Sequence, residues 1–219
     1  MNDNQQQPAA SSSHSDRSDP SAEGGARLIL ILGGARSGKS TFAEQLAINS
    51  GKSVAFIATA TAGDEEMRAR IARHQAERPR EWQTIEEPLD LPRAIHRASA
   101  LADVLLLDCL TLWTSNWLMQ QTEGDYVDEA DSASLPGESA LAEVEDMLRV
   151  LRSLPAQKTL IAISNEVGLG VVPAYPLGRV YRDTLGYVNQ RLARDAERVY
   201  MLVAGIAVDL KRIQELPML

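Results

Sequence analysis

"RLILILGGARSGKS", residues 27–40, runs an apolar stretch straight into a glycine-rich turn. Leu28 to Leu32 are continuously apolar and bounded by glycines, the pattern of a strand buried on both faces of a parallel sheet. The turn satisfies G-x-x-x-x-G-K-[ST] through Gly33, Gly38, Lys39 and Ser40. The spacing has a mechanical reason. Across Gly33, Gly34, Ala35, Arg36, Ser37 and Gly38 small residues dominate, so consecutive backbone N–H groups turn inward around a phosphate. The helix that follows points its positive end at the same anion. In such a loop Lys39 reaches the β- and γ-phosphates and Ser40 ligates Mg²⁺. A glycine-rich turn without a ligand is the plain alternative, but a buried strand before it and a helix after it both agree with a nucleoside triphosphate site.

Outward from this stretch the same rhythm recurs. The apolar runs "SVAFIAT" (53–59), "DVLLLD" (103–108), "TLIAIS" (159–164) and "RVYMLVAG" (198–205) are separated by segments long enough for crossover helices. Helices fit at Thr41–Ser50, at about Glu65–Glu77 stopped before Pro79, at Ser139–Ser153 and at about Gly178–Ala196. Leu141, Val144, Leu148 and Leu151 form an apolar stripe on the third of these, and Tyr181, Leu185, Val188 and Leu192 on the fourth. Gly205 between two apolar runs predicts a C-terminal hairpin, an antiparallel addition at the sheet edge. The expected fold is therefore an α/β P-loop NTPase, RecA-like, with a mostly parallel sheet flanked by helices. A single domain, 27–219, follows a tail, 1–26, whose Ser, Gln, Pro and Asp content and lack of an apolar signal segment predict disorder. His14 belongs to that tail.

A formal net charge of −8 over 219 residues argues against nucleic acid or an anionic membrane as a general partner, so an anionic ligand must be held locally. One cysteine, Cys109, excludes an intramolecular disulfide and fits a reducing compartment. No apolar run approaches the roughly 20 residues of a membrane span. The expected location is the cytoplasm.

Asp108 closes the strand "LLLDC", where a Walker-B aspartate projects toward the phosphates and holds the metal; a helix N-cap or turn aspartate is the other reading. Between Asn116 and Leu148 stand nine acidic residues and no Lys or Arg. A solvated loop leading into the helix is the plain reading of that acidic stretch, and a lid or partner contact the other. "SNEVGLGVVP" (164–173) follows the fourth strand where ligand-contacting loops gather. Asn165 and Glu166 there suit orienting a hydroxyl or a metal-bound water, and a glycine-rich structural turn suits the same residues equally. Arg179, Arg182 and Asp183 read as ligand or phosphate contacts or as a charged helix face.

Taken in order, "GGARSGKS", "IATA" (57–60), "DEEMRARIARHQAERP" (64–79), W-x-T-x-E (82–86), "LLLDCLTLWTSN" (105–116), "SNEVGLGVVP" and "RVYRDTLGYVNQRLA" (179–193) resemble the bifunctional adenosylcobinamide kinase/adenosylcobinamide-phosphate guanylyltransferase family of cobalamin biosynthesis. The resemblance covers about residues 27–211. It implies two reactions at one nucleotide-binding domain. ATP or GTP first donates its γ-phosphoryl group to the aminopropanol hydroxyl of adenosylcobinamide. A histidine then attacks the α-phosphorus of GTP, releases pyrophosphate and holds GMP until adenosylcobinamide-phosphate takes it. By matching of segments that histidine is His74. Some relatives carry two adjacent histidines there, whereas this chain has Arg73-His74. The same matching gives nucleotide or metal contacts to Ala58, Thr59, Ala60, Gln75, Ala76, Glu77, Arg78, Glu86 and Asp108. It also implies a homotrimer.

Read by its own residues, "ARIARHQAERP" (69–79) says less. If 65–77 is a helix, Met67 and Ile71 face inward, and Glu66, Arg70 and His74 share an adjacent stripe. Pattern alone makes His74 an exposed or interface histidine, while a neutral imidazole is a good nucleophile toward phosphorus. Arg70, Arg73 and Arg78 suit a triphosphate or an ordinary salt-bridged face, and His96 reads as a surface helix residue. Besides the bifunctional transferase, two other classes stand open: a small-molecule kinase without guanylyl transfer, and a P-loop protein whose nucleotide drives a switch or ATPase cycle.

Overall fold

The protein is described by a computed structural model over residues 25–63, 65–122 and 135–213. The expected disordered tail, apart from Gly25 and Ala26, and the centre of the acidic stretch lie outside the described residues. Ala26 packs on the core and its N–H donates to Leu151 O at 3.3 Å.

Seven strands form one sheet: β1 (Arg27–Gly33), β2 (Val54–Ala58), β3 (Gln83–Glu86), β4 (Val104–Asp108), β5 (Thr159–Ile163), β6 (Arg198–Val203) and β7 (Ile206–Asp209), in the order β3-β2-β4-β5-β1-β6-β7. All neighbours are parallel except β6 and β7, the expected edge hairpin. The helices are α1 (Lys39–Asn49), α2 (Glu65–Glu77), α3 (Leu91–Leu101), α4 (Leu110–Thr122), α5 (Leu135–Ser153), α6 (Pro176–Asp195) and the short α7 (Leu210–Ile213).

Parallel strands need covered faces, which is why their sequences are uninterrupted apolar runs. Leu105, Leu106 and Leu107 on β4 are all fully buried, alternate residues facing opposite layers. Ile31, Phe56, Leu106 and Ile161 pack with Ala43 and Ala47 of α1 on one face. Leu30, Ile57, Leu105 and Ala162 pack with α3, α5 and α6 on the other, where Val144, Met147, Leu151, Val188 and Leu192 are buried. Right-handed crossovers set this division. The chain moves one way across the sheet from β1 to β2 to β3 and the other way from β3 to β4 to β5, so the two sets of connecting helices fall on opposite faces.

The sequence reading changes at four elements. "QTIE" is a strand, β3, and Leu110–Thr122 is a helix, so Asn116–Thr122 belong to α4 rather than to an acidic loop. Helix α5 begins at Leu135, four residues before the expected start. Helix α3, expected only as the setting of His96, is a full layer element with Leu91, Ala94, Ile95 and Ala98 buried.

Candidate active site

Three strand ends brace the loop from Gly33 to Ser40. Glu166 N–H, beyond β5, donates to Gly33 O at 3.1 Å, and Gly205 N–H, in the β6–β7 turn, donates to Ser37 O at 2.9 Å. A Cβ at Gly33 would lie 2.7 Å from Leu202 O, so no side chain fits there. Gly38, at φ +93°, precedes α1 in a left-handed conformation that other residues adopt only with strain. No side chain caps α1, which leaves its first-turn N–H groups for an anion. Gly34, Ala35 and Arg36 are exposed, Arg36 at φ +57°. Lys39 Nζ donates to Gly34 O at 2.9 Å, across the mouth of the loop. Ser37 Oγ is buried without a hydrogen-bond partner.

Asp108 ends β4, in register with Ala58 of β2 and Ile163 of β5. Burial pushes its carboxyl above the usual carboxylate range, against a hydrogen bond from Ser40 and the charges of His74, Arg78 and Lys39. One carboxylate thus gathers the expected metal ligand, the P-loop lysine and the expected nucleophile. The donor set fits Mg²⁺: a carboxylate and a hydroxyl are hard oxygen ligands. Among the described residues no group of three or more His, Cys, Asp or Glu could hold a metal, so an ion here would take its remaining ligands from phosphate and water.

Of the expected nucleotide contacts after β2, Ala58 and Ala60 are half-buried and Thr59 is fully buried. Thr59 ties two strand ends together: its N–H donates to Asp108 O at 3.2 Å and its hydroxyl donates to Cys109 O at 2.7 Å. The same hydroxyl accepts from Cys109 N–H at 2.9 Å. The Asp108–Cys109 peptide is cis. Asn116 Nδ2 donates to Thr59 O at 2.8 Å and holds the loop from the far side. Burial, with the Asp108 charge beside it, raises the Cys109 thiol to about 11.

Helix α2 brings His74, half-buried, to the Asp108 cluster. Its C-terminal end is fastened by side chains. Gln75 Nε2 donates to Glu86 Oε1 at 3.3 Å. The Arg78 guanidinium lies 3.4 Å from the centroid of the Phe56 ring, a cation–π stack that also leaves Nε buried without a partner. Burial lowers the Arg78 pKa, opposed by the charges of Asp108, Glu44 and Glu86. Arg73 and Ala76 are exposed on the helix. The side chains of Glu66, Met67, Arg70 and Glu77 lie outside the described ones, so the expected inward face is described only at Ile71 and the adjacent stripe only at His74, both half-buried.

Beyond β5 the loop is organised by main chain. Asn165 N–H donates to Thr111 Oγ1 at 2.8 Å, and Asn165 O accepts from Asn189 Nδ2 at 3.0 Å. Arg179 is a loop clamp, donating to Pro173 O and Ala174 O at 3.2 and 2.9 Å. Arg182 pairs with Asp183 at 2.7 Å. His96 is exposed on α3. Three site-shaping residues escaped the sequence reading. Asn116 and Thr111 sit on an unforeseen helix, and buried Glu87, ion-paired to Arg93 at 2.6 Å, sits beside Glu86 with its N–H on Ala58 O.

The chain is similar to known proteins over most of its length. The family model described as "Cobinamide kinase / cobinamide phosphate guanyltransferase" matches residues 29–210. "Bifunctional adenosylcobalamin biosynthesis protein CobP" of Pseudomonas aeruginosa is 47% identical over 182 residues, covering 83% of this chain and 96% of that one. "Bifunctional adenosylcobalamin biosynthesis protein CobU" of Escherichia coli is 40% identical over 185 residues, covering 84% and 99%. Among solved structures, a prototypical ATPase from the type III secretion system of pathogenic bacteria aligns at TM-score 0.50 and 13% identity, over 87% of this chain and 54% of that one. That likeness is one of fold alone.

Proposed function

The chain belongs to the cobinamide kinase / cobinamide phosphate guanyltransferase family, and from that premise we propose that both reactions run at the Asp108 cluster, with His74 as the guanylyl carrier. In the kinase step the aminopropanol hydroxyl of adenosylcobinamide attacks the γ-phosphorus of ATP or GTP. The bond to the β–γ bridging oxygen breaks, and the nucleoside diphosphate leaves. Lys39 binds the β- and γ-phosphates, and the Gly33–Gly38 backbone with the start of α1 orients them. Asp108 and Ser40 would hold Mg²⁺, which when bound neutralises charge on the phosphate oxygens.

In the second reaction a His74 ring nitrogen attacks the α-phosphorus of GTP, forming a P–N bond as the α–β P–O bond breaks and pyrophosphate departs. The phosphate oxygen of adenosylcobinamide-phosphate then attacks the same phosphorus, and the imidazole leaves, giving adenosylcobinamide-GDP. Ala58, Ala60, Gln75, Ala76, Glu77, Arg78 and Glu86 line the nucleotide's path in this reading, and Thr59, fully buried with its hydroxyl and both backbone polar groups engaged, holds Ala58 and Ala60 in place. The observation that carries the reading is the convergence of Ser40, His74, Arg78 and Lys39 on one carboxylate. The protein acts in the cytoplasm as a homotrimer of single 27–219 domains. Among the described residues no helix is long and apolar enough to cross a membrane.

The test is covalent labelling. Protein incubated with Mg²⁺ and GTP labelled at the α-phosphorus, then denatured, is expected to retain acid-labile, alkali-stable label that His74→Ala abolishes. Kinase activity on cobinamide without label would reduce the protein to a small-molecule kinase, and absence of both would leave a nucleotide-driven switch.

A further inference from the structure

Among the described residues only two other than glycine hold a left-handed backbone, Arg36 at φ +57° and Ala204 at φ +51°. Ala204 sits beside Gly205 between β6 and β7, where successive left-handed residues match the twist of a hairpin. Arg36 sits in the nucleotide loop, at the third position of a turn that Ser37 N–H closes on Gly34 O at 3.3 Å. A left-handed residue at that position is ordinarily glycine or asparagine, because a Cβ there crowds the following carbonyl. The loop has no slack to relieve the crowding: Glu166 N–H fixes Gly33 O before the turn, and Gly205 N–H fixes Ser37 O at its end. Strain held in place by such bracing points to a side chain needed where it stands.

That side chain is a long cation. Arg36 is exposed, and none of the ion pairs among the described residues includes it, although acidic residues outnumber Lys and Arg by 30 to 22. Its charge is open to an anionic ligand. The same turn marks where the end of a triphosphate lies. Lys39, the residue that takes the β- and γ-phosphates in such loops, has its Nζ on Gly34 O, the first residue of the turn, at 2.9 Å. The two cations differ in what they offer: Lys39 is a point charge, whereas a guanidinium is a planar fork that grips two oxygens of one phosphate.

We propose that Arg36 is a catalytic residue of the kinase step, its guanidinium holding two oxygens of the γ-phosphoryl group as that group passes to the corrinoid hydroxyl. The proposal rests on the functional reading above. The hydroxyl oxygen bonds to the γ-phosphorus, the bond to the β–γ bridging oxygen breaks with its electron pair going to the nucleoside diphosphate, and the hydroxyl proton goes to water. Arg36 forms no bond to phosphorus and gives up no proton; it stabilises the charge spread over the oxygens of the group in flight. Guanylyl transfer asks less of it. There the bonds change at the α-phosphorus and the γ-phosphoryl group departs intact within pyrophosphate, so a grip on its oxygens serves binding more than rate.

Arg36→Gly supplies the test, because glycine takes φ +57° freely and the loop keeps its shape. In the full-length protein its kcat for phosphorylating cobinamide with ATP should fall on the order of 10²-fold or more, as expected when an arginine leaves a transferring phosphoryl group. Attachment of α-labelled GMP at saturating GTP should slow less than roughly tenfold, and the melting temperature should not drop. Arg36→Lys keeps the charge without the fork and should recover no more than about a tenth of the wild-type kcat. A kinase kcat in Arg36→Gly within about threefold of wild type overturns the proposal, and so does an equal loss of kinase and labelling rates, which would make Arg36 a general triphosphate contact. Should Arg36→Gly fail to fold, Arg36→Lys is judged by the same two rates. Wild-type protein that is labelled by GTP yet does not phosphorylate cobinamide overturns the kinase half of the functional reading, and the role of Arg36 falls with it.

Discussion

The loop from Gly33 to Ser40 and the helix from Glu65 to Glu77 converge on the same carboxylate, yet they are tied to the molecule by different means. Backbone bonds from Glu166 and Gly205 hold the loop, and what it presents is mostly N–H groups. Helix α2 is fastened near its C-terminal end by side chains, Gln75 to Glu86 and Arg78 on Phe56, and what it presents is one imidazole. A main-chain site depends on conformation, which a run of small residues encodes locally. A side-chain site depends on what the fold sets against it.

Substitutions can break this contrast. The largest effect is expected at His74. His74→Ala should abolish guanylyl transfer, since nothing replaces the attacking nitrogen, while phosphorylation of cobinamide with ATP falls less than tenfold; equal loss of both, measured by product formation, would merge the two segments into one device. Lys39→Ala should lower both activities on the order of 10²–10³-fold, because each needs the triphosphate held. Survival of either would require a second nucleotide site.

Asp108→Asn separates stability from catalysis. Burial raises the Asp108 pKa, so the folded state keeps this proton to higher pH than the unfolded chain. The cost of ionising it is absent below the unfolded value and grows as pH rises through the folded one. The neutral variant should therefore melt at a higher temperature than wild type at neutral pH and lose that part of the pH dependence. Its kinase activity should fall at least tenfold. A lower melting temperature would mean that the charge is needed to hold Ser40 and α2 in place. The smallest effect concerns Cys109: with its thiol raised to about 11, alkylation by iodoacetamide in the folded protein should be slow at pH 8 and accelerate roughly tenfold per unit toward that value.

The same contrast explains what could be read beforehand. β1, the P-loop and the central strands are legible because each is a contiguous pattern. The N-terminus of α3 was written as plainly: Asp90 accepts from Arg93 N–H at 2.9 Å, a proline follows in the first turn, and Leu91, Ala94, Ile95 and Ala98 repeat at helical spacing. β3 is four residues long with one buried side chain, Ile85, too short for alternation to declare itself. α4 buries Leu110, Trp113 and Leu118 but carries no charge to mark its outer face. The role proposed for His74 rests on family resemblance alone, since Asp108, whose carboxyl its charge acts on, ends a strand far along the chain and no spacing links them. Asn116, whose amide fixes the Thr59 carbonyl, was invisible for the same reason.

The bond from Gly205 to Ser37 gives the nucleotide loop a backing drawn from the last two strands of the sheet. A ribosome makes the loop early and its brace late, with nearly the whole domain translated in between. A nascent chain thus displays the Lys39 motif long before it can hold a phosphate firmly, and affinity for a nucleotide arrives as a property of the finished polypeptide.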